Sequence, residues 1–261
     1  ISEFKTNKKY YFIVMENFLT SIKGREKFLK KIQSYLNDNG FIIFSYHNKI
    51  GFFLEYFRYY VLQVYLLKNK ITNLNEALII CRKFFLKEFK KTNTTRSFDQ
   101  YALDTLILNN FLDKTFWDFK SIVKIANQKS LRFYSSWPNY LTNKTEWHKK
   151  ILKTSEYNLN AYKDYLFNEK SFISQKINFN ESETEVVRKI LNMMIKNKND
   201  KEFGVQEIIN LISNDKKIKK VTFFKNICKI LKNNSPQNYN KVFNYSDWGF
   251  PNHYVVFTKD N

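Results

Sequence analysis

"YYFIVMENFLTSIKGREKFLKKIQSYLNDNGFIIFSYHN", residues 10–48, is the stretch on which the reading of the fold turns. Residues 10–17 form a continuous apolar run of aromatic and β-branched side chains, the pattern of a strand covered on both faces. The period then changes. Phe28, Leu29, Ile32, Tyr35 and Leu36 fall on one helical stripe, lysines fill the opposite face, and Gly40 stands where a helix would terminate. A second apolar run, Phe41 to Phe44, breaks at once into Ser45, Tyr46, His47 and Asn48. Strand, amphipathic helix and strand with short links predict a right-handed crossover unit of a parallel sheet.

Outward from this unit the chain turns helical. Residues 52–90 carry two apolar-rich helical patterns, and 92–97 is a polar loop. "TFWDFKSIVKIANQ" reads as a helix with Thr115 at its N-cap and Asp118 three residues on. "SLRFYSSWP" follows as a strand stopped by Pro138, then residues 141 to about 235 are helical and basic, and "HYVVFTK" closes the chain as a short strand. The resulting organisation is an α/β region over 1–140 with a helical lid at about 52–98. A helical insertion follows over 141–240, and a final strand in 241–261 returns to the sheet.

Composition bounds what this arrangement can do. With 261 residues, 43% hydrophobic and 18% aromatic, the chain is long and apolar enough for a packed core. The formal net charge of +20 admits nucleic acid, an anionic surface or acidic substrates as partners, although the lysines are spread along the chain. Lys, Asn, Ile, Phe and Tyr richness is the signature of low-GC coding, so single lysines and Asn-x-Ser/Thr triplets carry little weight. Cys81 and Cys228 form no metal or redox motif and read as reduced core thiols of a cytoplasmic protein. The most apolar region, 52–67, is interrupted by Glu55, Arg58 and Gln63 and makes a poor membrane span. No phosphate-binding glycine loop, nucleophile elbow or metal-ligand spacing occurs.

In open parallel sheets, ligands sit beyond the carboxyl ends of the strands. Met15, Glu16 and Asn17 follow the first strand, and Tyr46, His47 and Asn48 follow the second, so adjacent parallel strands would bring the two groups to one crevice. The alternative for these residues is that Asn17 and Asn48 cap helices while Tyr46 and His47 line the surface.

The order of elements resembles the second half of a class I S-adenosylmethionine-dependent methyltransferase domain. The resemblance rests on residues 8–60, on "DFKSIVKIANQKSLRFYSSWP" as the family's next helix and strand, and on "WGFPNHYVVFTK" as its final antiparallel strand. The turn "LNDNG" keeps Leu36 and Gly40 but has Asp and Asn where Pro and Gly are commoner in the family. The family's acidic-Gly-x-Gly cofactor loop is absent, as is the acidic residue that binds the ribose. Because the chain begins with Ile, the expectation is a fragment whose cofactor-binding half lies upstream, and whose first strand would leave an apolar edge open to self-association. The fold implied is a partial Rossmann-like methyltransferase sheet, later strands only, with a helical insertion.

By this resemblance Met15, Glu16 and Asn17 would line S-adenosyl-L-methionine. Tyr46, Asn48 and His253 would face a small-molecule or saccharide acceptor, and His47, whose unperturbed pKa lies near neutrality, would be the general base. No metal is implied. Two other readings stand beside it: a basic module that binds nucleic acid through the helical region, and a degenerate methyltransferase-fold subunit.

Overall fold

The computed structural model describes residues 6–16, 24–92, 94–108, 112–141, 153–174, 176–243 and 248–259. In chain order the elements are β1 (Tyr10–Met15), α1 (Arg25–Gln33), β2 (Leu36–Asn48), α2 (Phe53–Lys68), α3 (Leu74–Phe89), α4 (Phe98–Tyr101), β3 (Phe116–Trp117), α5 (Phe119–Asn127), β4 (Leu131–Trp137), α6 (Thr154–Ile173), α7 (Glu181–Lys196), α8 (Lys201–Asn214), α9 (Thr222–Lys232), α10 (Pro236–Val242) and β5 (Asn252–Lys259). They form two units. A mixed α/β unit takes residues 1–52, 115–172 and 250–261, and a helical unit takes 53–114 and 173–249.

The α/β unit is built on an open five-stranded sheet in the order β1-β2-β5-β4, with β3 beside the end of β2. β1 and β2 pair in parallel, Phe12 beside Phe41 and Met15 beside Phe44, as the crossover pattern of residues 10–48 predicts. β5 runs antiparallel to both β2 and β4 and lies between them. Alternation along the strands buries one face: Ile42, Phe44, Val255, Phe257, Leu131 and Phe133 are all enclosed. Phe119 of α5 packs edge-on against Phe133, and Phe44 stacks on Phe257.

Three local expectations change. First, α1 ends at Gln33, and Gly40 lies inside β2 rather than closing the helix. The sheet register jumps from Tyr10–Leu36 to Phe12–Phe41, and the excess residues form a bulge with Asn39 in the left-handed region (φ 58). A side chain on Gly40 would press on the Asn37 carbonyl and on Leu36. Second, α5 is capped by Asp118, whose side chain accepts from the Lys120 amide, one turn later than the Thr115 cap expected. Third, β1 is an edge strand and is not covered on both faces.

The two edges of the sheet differ. At the β4 edge Asn158 of α6 is fully buried, its Oδ1 accepting from Phe133 N (2.7 Å) and its amide donating to Leu131 O (2.8 Å) and Asn127 Oδ1 (2.7 Å). The Phe133 N–H and the Leu131 carbonyl of that edge are thereby satisfied. At the β1 edge Tyr11, Phe12 and Val14 are each about two-thirds exposed. The 261-residue chain by itself is therefore expected to self-associate through β1 at micromolar concentration. Sedimentation of the F12K/V14K variant should give a monomer with unchanged circular dichroism, and an already monomeric parent chain would refute this.

In the helical unit α2 is buried on every side, from Phe53 to Leu66, and is its core helix. The helices of the two sequence stretches, 53–114 and 173–249, make up this one unit, whereas α6 packs with the sheet. No helix among the described residues is long and apolar enough to cross a membrane.

Candidate functional site

The carboxyl ends of β1 and β2 gather most of the residues that the sequence singles out, but not into one pocket. β2 continues through Asn48, so Tyr46, His47 and Asn48 alternate between faces of the strand. Tyr46 and Asn48 point into the core with His253, and all three are essentially inaccessible. His47 is half-buried on the opposite side. The polar break after the apolar run reads as a loop in the sequence. It stays a strand because β5 pairs His47 with Asn252 and β3 pairs it with Phe116.

Tyr46 and His253 face each other across the β2–β5 ladder with ring centroids 5.5 Å apart. Tyr140 joins them: its hydroxyl lies 2.7 Å from the Tyr46 hydroxyl and hydrogen-bonds His253 Nδ1. Burial raises both phenols, and it pushes the His253 imidazole down to about 3, with a smaller opposing pull from the Phe250 backbone. The three groups are neutral across the physiological range and hold one another in place. Asn48 donates to Tyr165 Oη (2.7 Å) and accepts from Gly51 N (2.8 Å), closing the turn 48–51. That turn lies against the backbone of residue 250, where any side chain on Gly51 would collide with the Phe250 carbonyl oxygen. Tyr140 and Tyr165 were not legible as partners, because each comes from a segment distant in sequence and carries no motif.

His47 Nδ1 lies 2.6 Å from Thr115 Oγ1, and its ring packs against Phe52. Arg25 donates to the Thr115 and Phe116 carbonyls beside it. Burial, aided by the Arg25 charge, lowers the His47 pKa to about 4. The ring is neutral at pH 7 but is a far weaker base than its unperturbed pKa suggests.

At the end of β1, Met15 is buried in the core, whereas Glu16 is exposed and its Oε1 accepts from Tyr254 Oη (2.8 Å). Asn17 lies outside the described residues. Tyr254 also neighbours Trp137, which packs on Phe250. Trp137 is more than half exposed. Among the described residues no three His, Cys, Asp or Glu side chains gather as a metal site.

The helical unit holds a second buried polar cluster. Arg58 makes a bidentate pair with Glu88 (2.7 and 3.1 Å), Tyr239 Oη donates to Glu88 Oε2 (3.2 Å), and the guanidinium lies 3.9 Å over the Trp248 ring. Burial opposes the Arg58 charge, but Glu88 more than offsets this and its pKa is raised. Glu55 is pushed up to about 7 by burial, against the pull of Arg58. The pairing is buried and reads as the polar core of the unit.

No family model, curated protein or solved structure matches this chain.

Proposed function

We propose that the α/β unit is the acceptor-side part of a class I S-adenosylmethionine-dependent methyltransferase sheet. The polypeptide that carries it would methylate a small molecule or a saccharide or envelope precursor in the cytoplasm. One observation carries the reading: β5, the last strand in the chain, runs antiparallel between β2 and β4 beside the parallel β1–β2 pair. This agrees with the final antiparallel strand of that domain.

The residues present do not make a cofactor cradle. Gly24, Gly40, Gly51, Gly204 and Gly249 are the chain's five glycines, and no two form a Gly-x-Gly turn. Met15 is enclosed in the core, and the Glu16 carboxylate already receives the Tyr254 hydroxyl. The 261 residues are thus not expected to hold S-adenosylmethionine by themselves.

Equilibrium dialysis with labelled S-adenosylmethionine tests this. The 261-residue chain should show no binding below about 1 mM, equivalent to less than about 4 kcal/mol. The natural gene product containing it should bind and label a small-molecule extract. Failure of that gene product to bind the cofactor would sink the reading.

A second reading, a methyltransferase-type fold without turnover, is favoured by the closure of Tyr46, Asn48 and His253 into an internal network. It is marked by cofactor binding without label transfer. The His47→Ala change separates the two further. With His47 bonded to Thr115 and packed on Phe52, the change should cost about 1–3 kcal/mol of stability. A loss of transfer of roughly 100-fold with the melting transition unchanged would instead make His47 the base.

A further inference from the structure

The longest stretch of the chain without an acidic residue is 216–246. The turn that opens it carries Lys216, Lys217, Lys219 and Lys220, all exposed, while Ile218 between them is buried and anchors the turn. α9 follows with Lys225, Lys229 and Lys232 exposed at i, i+4 and i+7, so they share one face. Thr222, Asn226 and Asn233 are interleaved with them. A solvated helix face ordinarily mixes signs, as α7 does with Glu181, Glu185 and Arg188. On α9 the lysines are three and four residues apart with no acid between them, an arrangement that repels itself.

α9 itself carries no acid to relieve this. Asp215 precedes the turn, its Oδ1 accepting from the Lys217 and Ile218 amides (2.9 and 3.0 Å), and its charge attracts Lys217 rather than the lysines of α9. On α8, Glu207 binds the Asn197 amide and Glu202 lies in the first turn, at the far end of the helix from the lysine turn. α10 adds Lys241 and no acid.

The class of partner follows from what this face lacks. α9 has used its apolar side on the core of the helical unit, with Phe223, Phe224, Ile227, Ile230 and Leu231 all buried. It has no apolar stripe left to insert into a bilayer, and no exposed aromatic or aliphatic centre for a protein partner. It offers ammonium, amide and hydroxyl groups, which are the contacts made to a sugar–phosphate backbone. We propose that α9 and the lysine turn before it form a nucleic-acid-binding face that contacts backbone phosphates.

Fluorescence anisotropy with a labelled 20-nucleotide RNA and a 20-base-pair DNA duplex, between 50 and 200 mM salt, tests the proposal. The intact protein should bind, with affinity falling steeply as salt rises. K225Q/K229Q/K232Q removes three phosphate contacts, so the slope of log affinity against log salt on duplex should become shallower by about 2.7. K27Q/K120Q/K124Q removes the same charge from exposed positions of the α/β unit and should leave the slope unchanged. Equal effects of the two variants would mean that only net charge matters and would overturn the assignment. So would the absence of nucleic-acid binding, or binding confined to phosphatidylserine vesicles. Circular dichroism of each variant confirms that it is folded, and the RNA and DNA arms show which backbone is preferred.

Discussion

Lowering the pH from 7 to 4 should destabilise the α/β unit by about 6 kcal/mol, through two histidines. His253 has a folded pKa of about 3 and His47 of about 4, both depressed by burial from an ordinary 6.5. The unfolded chain therefore takes up the protons first. The stabilisation is full above about pH 6.5 and is lost as pH falls toward the folded values. At about 1.36 kcal/mol per pH unit and site, the loss approaches the whole stability of a typical domain, roughly 5–15 kcal/mol.

Glu55 in the helical unit has the opposite sign. Its pKa is raised to about 7, so its contribution is complete below about 4.5 and disappears as pH rises through 7. Between pH 7 and 4.5 the two units should move in opposite directions. Hydrogen exchange, corrected for intrinsic rates, should report opening of β2 and β5 at pH 4 while α2 and α3 stay protected. Equal protection of β2 at pH 7 and pH 4 would show that the histidines are not buried as described.

The second large effect is expected from Arg58→Ala. Removing the guanidinium strands the Glu88 carboxylate in the core beside Tyr239 and takes away the group that stacks on Trp248. Breaking a buried pair on one side costs about 3–5 kcal/mol, much more than an exposed pair such as Arg82–Asp99, worth roughly 0–1 kcal/mol. Urea unfolding of R58A, E88A and the double variant measures it. The double variant should be clearly less destabilised than the two single changes added together, because the second removal relieves the stranded charge. Additive costs would mean that the two residues do not interact.

Residues 10–48 show how far periodicity reaches. The change from a continuous apolar run to a helical stripe and back is a local signal, and the parallel β1–β2 pair follows from it. The end of β2 was not legible. Ser45, Tyr46, His47 and Asn48 have the composition of a loop, and they remain a strand because Asn252 and Phe116 arrive from elsewhere in the chain to pair with them. Gly40 misled for a related reason: a glycine after a helix-like stripe fits a helix end as well as a bulge, and only the parallel partner distinguishes the two.

The candidate site divides along the same line. That Tyr46, Asn48 and His253 would be close together was readable from the strand order. Their use was not, because a phenol, an amide and an imidazole at strand ends serve a ligand or one another equally well. Tyr140 and Tyr165 settle how they are held, and both are supplied by other segments. By itself, the sequence of this protein determined the alternation of apolar runs and helical stripes along the chain, since these depend on residues a few positions apart. Tertiary structure decided which polar groups are buried, which edge of the sheet Asn158 closes, and which histidines lose their basicity, because burial and pairing depend on what distant segments bring.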